Sequence, residues 1–230
     1  MIEVVLFDFN GVIIDDEHIK LRALRQAFKE QDITMSDDDY FSRLGMDDVT
    51  FVRSVYEQTG RETTDAETKR VVERGNEMHR AEIEESIPLF PGAETFIKAL
   101  SRRYTLGIVS MSRRDAIDFV LERTGLNQYF SGVISADDVT RPKPEPDCYN
   151  EAFFLIDRVR RERRQASLTP EECLVIEDSP PGVRAARLAG MRVLGITNTV
   201  DAAALRTAGA QVVTANLSDW TTDAVHHVFE

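Results

Sequence analysis

The amino-acid sequence predicts an α/β fold, a parallel sheet wrapped by helices, and two observations indicate it. Short apolar runs rich in β-branched residues alternate with segments of helical periodicity over most of the chain. The runs are flanked by polar or turn residues, as expected of strands that are buried on both faces. Strands that alternate with helices in this way form parallel sheets with right-handed crossovers.

Six apolar runs are predicted to be strands of that sheet. They cover residues 4–9, 105–110, 132–135, 173–176, 193–196 and 211–214. The helical patterns between them are clearest over residues 91–103, 112–124 and 180–189, where cap residues stand at the ends.

One block interrupts the alternation. Residues 16–87 contain helical patterns and much charge but no convincing strand, and the block is too long to be a loop of a compact domain. We therefore expect an all-helical insert over 16–87, with residues 1–15 and 88–230 forming the α/β core. The segment 88–92, Pro-Leu-Phe-Pro-Gly, would return the chain to the core.

Composition excludes several classes of partner. The 230 residues carry a net charge of −12, which argues against nucleic acid or an anionic membrane as the main partner. No apolar run is long enough to span a bilayer, and no basic segment precedes the apolar run at the amino terminus. Two cysteines, Cys148 and Cys173, form neither a disulfide framework nor a zinc motif. We expect ordinary thiols and a cytoplasmic protein.

A basic run and the histidines are interpreted as structural or surface features. Residues 157–165 form a local basic stretch, for which a solvated helix face is favoured over a partner site. The four histidines, of which His79 is one, have no metal-ligand partners at matching spacing.

Polar groups follow four of the predicted strands, where open α/β sheets bind their ligands. The groups at these ends are Asp8 and Asn10, Ser110 and Ser112, Lys143, and Glu177 and Asp178. This inventory of carboxylates, hydroxyls and one ammonium suits a divalent cation together with a phosphate.

The chemistry of these groups supports that interpretation. Asp8 and Asp178 supply the hard oxygen ligands that Mg²⁺ prefers. Lys143 could neutralise a phosphoryl group, and Ser110 with a nearby backbone N–H could bind the remaining phosphoryl oxygens. A carboxylate held beside a metal and a phosphate can act as a nucleophile and form an aspartyl-phosphate.

Four motifs in a fixed order carry a resemblance to a known family. They are Asp-x-Asn-Gly-Val-Ile from Asp8, a strand ending in Ser110, Lys-Pro-x-Pro-Asp from Lys143, and Glu-Asp-Ser-x-x-Gly-x-x-Ala-Ala-x-x-Ala-Gly from Glu177. The sequence resembles the haloacid dehalogenase (HAD) superfamily, and within it the β-phosphoglucomutase-like and phosphoglycolate-phosphatase-like branch. The resemblance implies a Rossmann-like core with an inserted all-helical cap domain, and hydrolysis of a small phosphorylated metabolite.

The resemblance also implies roles for single positions. Asp8 would be the nucleophile, Ser110, Met111 and Ser112 would bind the phosphate with Lys143, and Glu177 and Asp178 would form the acidic pair. The implied cofactor is Mg²⁺, held by Asp8, the carbonyl of residue 10 and Asp178. Glu177 would act through water or behind the ligands, and Gly11 would permit a tight turn.

Asn10 departs from the family, whose phosphatases and mutases usually carry an acid–base Asp at this position. An amide can orient groups by hydrogen bonds, but it cannot transfer a proton as a carboxylic acid does. Because general acid–base catalysis contributes about 10²- to 10⁴-fold, we expect a slow or leaving-group-restricted phosphatase. The alternatives are a non-catalytic HAD-fold protein that binds a phosphoryl ligand, and an Asn10 introduced by engineering. If turnover is fast, Asp15, Asp16 or Lys20 would supply the proton.

The predicted cap departs as well. A mutase of this branch would carry a Lys and an Arg around the segment that matches Arg43-Leu44-Gly45-Met46-Asp47-Asp48, and Lys20 stands where many relatives have His. A mutase is therefore disfavoured. We expect a small phosphorylated metabolite as the partner, no nucleic acid or membrane, and a monomer or weak dimer whose cap closes over Asp8.

Overall fold

A single parallel sheet organises the molecule, and the computed structural model describes residues 1–229 of it. Within this range six strands follow the order β3-β2-β1-β4-β5-β6, and every neighbouring pair is parallel. The strands are β1 (Val4–Phe7), β2 (Thr105–Val109), β3 (Gly132–Ile134), β4 (Cys173–Glu177), β5 (Arg192–Ile196) and β6 (Val212–Thr214). The predicted α/β class is confirmed, and each of the six predicted runs contains a strand.

The central strand ends earlier than the sequence predicts. β1 stops at Phe7 instead of residue 9, because the chain turns there and the amides of Ile13 and Ile14 both donate to the Phe9 carbonyl. This turn lifts Asp8 and Asn10 out of the strand, at the edge of the sheet where ligands bind in this class of fold.

Among the described residues, six helices cover the two faces of the sheet. They are α5 (Ala93–Leu100), α6 (Arg114–Thr124), α7 (Asp147–Glu162), α8 (Pro180–Leu188), α9 (Ala202–Ala208) and α10 (Thr222–Phe229). One apolar cluster joins the sheet to α5, α6 and α10, and a second joins it to α7, α8 and α9. Burial on both faces accounts for the near-continuous apolar runs of β1 and β4.

Four helices and no strand occupy residues 17–85. They are α1 (Glu17–Lys29), α2 (Asp37–Phe41), α3 (Asp48–Gln58) and α4 (Asp65–Glu85). These helices share an apolar cluster of their own, centred on Phe28, Phe51 and Tyr56. Capping boxes begin α2 at Ser36 and α4 at Thr64 and satisfy backbone donors that the first turn leaves open. We call residues 16–87 the helical insert.

The two segments that join the insert to the core run side by side. Ile14 forms an antiparallel bridge with Leu89, the Asp15 amide donates to the Pro88 carbonyl at 2.7 Å, and the Phe90 amide donates to the Ile13 carbonyl at 3.0 Å. Entry and exit of the insert therefore lie beside the turn that carries Asp8.

The basic stretch is solvated along most of its length, and two positions depart from that prediction. Asp157 and Arg160 are buried: the Arg160 guanidinium donates to the Glu3 carboxylate at 2.9 Å, and Asp157 accepts from the Leu168 amide at 2.9 Å. Both side chains lie on the face of α7 that packs against the sheet, so helix periodicity overrides the local charge pattern.

The cysteines and the helix lengths add two further results. Cys148 and Cys173 are free and buried, and burial raises the pKa of each thiol to about 12. Among residues 1–229, no helix combines the length and the apolar composition that crossing a membrane requires.

Candidate active site

The carboxyl ends of three neighbouring strands carry the candidate site. Asp8 follows β1, Ser110 follows β2, and Glu177 and Asp178 end and follow β4. Because β1 lies between β2 and β4, side chains that are far apart in sequence meet at one edge of the sheet. Lys143 reaches the same place from the loop between β3 and α7.

Lys143 is the cation at the centre of the site. Its ammonium donates to an Asp8 carboxylate oxygen at 2.6 Å, to a Glu177 carboxylate oxygen at 2.5 Å and to the Val109 carbonyl at 3.3 Å. The Lys143 side chain is 2 % exposed, and that of Glu177 is fully buried. One buried ammonium thus bridges the ends of β1, β2 and β4.

Glu177 uses both of its carboxylate oxygens inside the protein. One accepts from Lys143 and from the Tyr149 hydroxyl at 2.9 Å, and the other accepts from the amides of Asp178 and Ser179 at 3.1 Å. Gly182 permits this arrangement, since a Cβ at that position would stand 1.7 Å from the Glu177 carboxylate. Glu177 is therefore placed to orient Lys143 and the start of α8.

Asp178 lies against the turn that follows β1. A Cβ at Gly11 would stand 1.8 Å from an Asp178 carboxylate oxygen, and Gly11 has a φ of +77°, which favours glycine. The same Asp178 oxygen accepts from the Thr199 hydroxyl, and Asn198 donates to the Gly11 carbonyl at 2.7 Å. Gly11 thus allows the carboxylate to approach the backbone of the first motif.

Burial and mutual repulsion shift the protonation of these groups. Burial raises the pKa of Asp8 to about 7, against the lowering effect of Lys143 and with a further rise from Glu177. Burial and then the Asp8 and Glu177 carboxylates raise the pKa of Asp178 well above its ordinary value. Burial opposes the charge on Lys143, but Asp8 and Glu177 outweigh it and raise the pKa of Lys143.

Three carboxylates and one ammonium leave the site with an excess of negative charge. Oxygen atoms of Asp8, Glu177 and Asp178 lie within 4.8 Å of one another. A divalent cation would neutralise this excess and would favour the ionised carboxylates that burial disfavours. An all-oxygen donor set fits Mg²⁺, which binds to a few carboxylates and keeps water or substrate oxygens as its other ligands.

The segment after β2 lies beside Asn10. The Ser112 hydroxyl donates to the Asn10 side-chain carbonyl at 2.6 Å, and the Ser110 hydroxyl lies 3.5 Å from the same oxygen. Ser110 also accepts from the Ser112 amide at 3.0 Å, and Met111 between them is buried. The structure thus brings all eight predicted site residues to this edge of the sheet, while their roles stay predictions.

The amide nitrogen of Asn10 points away from these serines. It donates to both carboxylate oxygens of Asp16 at 2.9 Å, and one of those oxygens also lies 2.8 Å from the His79 ring nitrogen Nε2. His79 belongs to α4, so this chain of contacts runs from the helical insert to the candidate site.

A cavity of about 60 Å³ lies between the Asp8 and Asp178 carboxylates on one side and the helical insert on the other. On its insert side, Lys20 pairs with Asp48 at 3.2 Å, and the Tyr40 hydroxyl donates to Glu17 at 2.5 Å. Arg43, also in the lining, points its guanidinium at groups of the insert. Those groups are the Asp39 carbonyl, Ser42, Ser54 and Gln58.

The sequence analysis missed three contacting side chains, Tyr149, Thr199 and His79. It named Asp16 only as an alternative proton donor and did not predict its contacts with Asn10 and His79. Thr199 could have been found, because Thr197-Asn198-Thr199 follows the buried strand β5 as the other site residues follow theirs. Tyr149 and His79 lie on helices, and no spacing rule links them to the motifs. His79 was interpreted as structural or surface, and its contact with Asp16 adds a role beside the candidate site.

Comparison with known proteins agrees with this geometry. The family model described as haloacid dehalogenase-like hydrolase matches residues 2–190. A validoxylamine A 7′-phosphate phosphatase from Streptomyces hygroscopicus subsp. limoneus is 29% identical over 231 residues, covering 95% of this chain and 96% of that protein.

Two further similarities differ in what they cover. Protein SUPPRESSOR OF QUENCHING 1, chloroplastic, from Arabidopsis thaliana is 30% identical over 92% of this chain, which spans only 19% of that protein. The crystal structure of β-phosphoglucomutase from Clostridium difficile superposes with a TM-score of 0.83 at 23% identity, covering 100% of this chain and 97% of that one. This second likeness shows the fold alone. The family match over residues 2–190 confirms the predicted family: the chain belongs to the haloacid dehalogenase-like hydrolases.

Proposed function

We propose that this chain is a Mg²⁺-dependent phosphatase that hydrolyses a small phosphomonoester through an aspartyl-phosphate on Asp8. One observation carries the proposal: the Asp8 carboxylate stands at the end of the central strand, bonded to the Lys143 ammonium and within 4.8 Å of an Asp178 carboxylate oxygen. The membership in a hydrolase family and the relative named as a phosphatase support it.

Each residue has a task in this reaction. Lys143 holds the Asp8 carboxylate in position and offsets charge as the phosphoryl group approaches. Ser110 and the amides around it bind phosphoryl oxygens, and Glu177 fixes Lys143 from behind. Asp8, Asp178 and the main-chain carbonyl of Asn10 would hold Mg²⁺, which supplies Lewis-acid charge stabilisation when it is bound. The insert covers the site and excludes water.

The helical insert would act as a mobile cap. It has its own apolar cluster, and it joins the core through two paired segments beside the first motif. Gly45 lies close to the core, since a Cβ there would stand 3.0 Å from Pro181 and 3.7 Å from Lys143. We take residues 16–87 as the cap and this contact as its closed position.

The substrate would be a phosphomonoester without a second anionic group. Both cations on the insert side of the cavity already have partners. Lys20 forms an ion pair with Asp48, and Arg43 donates hydrogen bonds to polar groups of the insert. No cation in that lining is left to bind a distal phosphate. The remaining polar groups of the lining suit hydroxyls of a carbohydrate-like molecule, in agreement with the phosphorylated substrate in the name of the Streptomyces relative.

Asn10 limits the rate, because an amide cannot protonate the leaving group or activate the water that releases the phosphate. Aryl and acyl phosphates have good leaving groups and should phosphorylate Asp8. Sugar phosphates should react more slowly, and the phosphoenzyme should accumulate.

A second candidate function is non-catalytic binding of a phosphoryl ligand. It is favoured by the position of Asn10, whose amide is held on both sides by protein groups. A binding protein would retain the same contacts to phosphate without needing an acid–base group.

A phosphatase assay with Mg²⁺ would separate the two functions. We expect a burst with an aryl phosphate, a covalent phosphoryl group on Asp8 by mass spectrometry, and neither in the variant Asp8→Asn. Binding of inorganic phosphate without any burst or covalent product would instead support the binding protein. Loss of both turnover and phosphate binding would refute both candidates.

A further inference from the structure

Asp16 is a buried carboxylate that the proposed reaction does not yet use. Its side chain is 1 % exposed and, among residues 1–229, accepts from two groups, the Asn10 amide through both oxygens and His79 through one. Buried charges are held by hydrogen bonds of this kind or are strongly disfavoured. Asp16 at the start of the insert thus joins a group of the first motif, Asn10, to a group of α4, His79.

The Asp16 carboxylate binds side chains and does not cap its own helix. Asp16 is the N-cap of α1, where an Asp side chain ordinarily accepts from the backbone amides of the first turn. Here the side chain makes no capping hydrogen bond. It binds Asn10 and His79 instead, so the first-turn amides of α1 receive no hydrogen bond from the Asp16 side chain.

The contact sets the direction of the Asn10 amide. An ionised carboxylate can only accept, so the amide NH₂ must face Asp16 and the amide carbonyl must face the opposite side. On that side lie the Ser112 hydroxyl at 2.6 Å and the Ser110 hydroxyl at 3.5 Å, in the segment that would bind phosphate.

We propose that Asp16 is a positioning residue for the reaction, which it serves by holding Asn10 in one orientation. The expected effect on kcat rests on the proposed function. The orientation of Asn10 rests on the contacts alone. With Asp16 in place, the carbonyl of Asn10 faces the serines and its NH₂ is kept away from them. His79, on α4, binds one of the Asp16 oxygens. The position of α4 therefore also affects the orientation of the Asn10 amide.

Asp16 also changes what an Asn10→Asp variant would do. That substitution alone would place two carboxylates at the 2.9 Å separation that the amide and carboxylate now have. Like charges at that distance repel, and the new carboxylate would not restore a normal site. Exchanging the pair, with Asn10→Asp and Asp16→Asn together, keeps one donor and one acceptor at the contact.

The experiment compares the full wild-type chain with the two single variants and with the exchanged pair. Asp16→Asn should lower kcat for an aryl phosphate by about tenfold with little change in KM, since a misoriented group slows the reaction without loosening the substrate. Each single change should lower Tm, and the exchanged pair should recover it because the two residues are directly coupled. The exchanged pair should also turn over sugar phosphates about 10²-fold faster than the wild-type chain.

Two measurements keep the test independent of activity and of folding failures. ¹⁵N NMR of the Asn10 side-chain amide should show slow hydrogen exchange in the wild type and fast exchange in Asp16→Asn. If Asp16→Asn does not fold, His79→Ala removes the other partner of Asp16 and should lower kcat in the same direction. Asp15→Asn is the matched control, because Asp15 is the exposed neighbour.

The outcomes are distinct. If the two single changes add in the exchanged pair, or if Asp16→Asn behaves like Asp15→Asn, Asp16 is not a positioning residue. If coupling in Tm and protection of the Asn10 amide are found but no variant turns over any phosphate, the proposed function fails and the kinetic half of this inference fails with it.

Discussion

The two sides of the candidate cavity handle charge in opposite ways. On the core side, three carboxylates lie together and one ammonium binds two of them, and the pKa values of Asp8 and Asp178 are raised. On the insert side, the cations have local partners: Lys20 pairs with Asp48, and Arg43 donates within the insert. This difference fits the proposed function, in which the core receives a cation and a phosphoryl group and the insert presents a charge-balanced surface to the rest of the substrate.

Removing the Lys143 ammonium from the core side should have the largest effect on stability and turnover. Lys143→Met leaves the Asp8 and Glu177 carboxylates buried without their partner, which should lower the free energy of unfolding by about 3–5 kcal/mol and abolish turnover. Urea unfolding and an aryl phosphate assay measure the two effects. Lys98→Met is the control, because Lys98 pairs with Glu94 at the surface, where ion pairs contribute little to stability. Equal losses in both variants would contradict the interpretation of the core site.

The acidic cluster should also make metal-free protein sensitive to pH. The pKa of Asp8 is about 7 in the folded state and 3.8 ordinarily, so the folded protein binds this proton more tightly than the unfolded chain does. Stability is therefore present at low pH and lost as pH rises from about 4 to about 7, by roughly 2–4 kcal/mol. Denaturant unfolding in the presence of a chelator measures the slope.

Two comparisons sharpen that result. The Asp8→Asn variant should lose the part of the slope that Asp8 contributes, and Mg²⁺ added at neutral pH should raise the Tm of the wild type by mass action. A stability that does not change between these pH values in chelator, or the same Mg²⁺ effect in an Asp178→Asn variant, would speak against the metal site.

A methyl group at Gly182 tests how tightly Glu177 is held. The Cβ of Gly182→Ala would overlap the Glu177 carboxylate, which would have to leave its bonds to Lys143 and Tyr149. We expect a loss of about 2–3 kcal/mol, as for overpacking of a tight interior. Gly60→Ala is a control of similar type, since nothing lies within 4 Å of a Cβ there, although its φ of +68° adds some strain. A Gly182→Ala variant as stable as Gly60→Ala would show that Glu177 is loosely placed.

The smallest effect should come from unbalancing the insert side. Asp48→Ala releases Lys20 from its ion pair and leaves an ammonium facing the cavity with only the more distant influence of Glu17 and Asp16. The ratio of kcat/KM for a sugar bisphosphate to that for the monophosphate should rise by about tenfold, which corresponds to 1.4 kcal/mol. Asp65→Ala, which releases Arg53 at the surface, should leave the ratio unchanged. An unchanged ratio in both variants would mean that Lys20 does not meet the distal part of the substrate.

Much of the fold and the core side of the site could be predicted from single stretches of sequence. Strand periodicity located all six strands, and the rule that ligands bind at the carboxyl ends of parallel strands selected Asp8, Ser110, Glu177 and Asp178. The burial of Arg160 could not be predicted, because its charge indicated solvent while the packing of α7 on the sheet decided otherwise. Tyr149 was missed because it lies on a helix, where no spacing rule links it to the motifs at the strand ends.

The sequence by itself determined the α/β class, the helical insert, the family and the order of groups along the chain that carry the chemistry. Periodicity and turn residues are local properties, and each strand end bears its side chain wherever the strand lies in the sheet. Only the tertiary structure decided that Asn10 meets Asp16 and that Asp16 meets His79, 63 positions further along. That contact depends on how α4 packs against α1 and on a carboxylate that turns away from its own helix, and neither property is encoded within one segment.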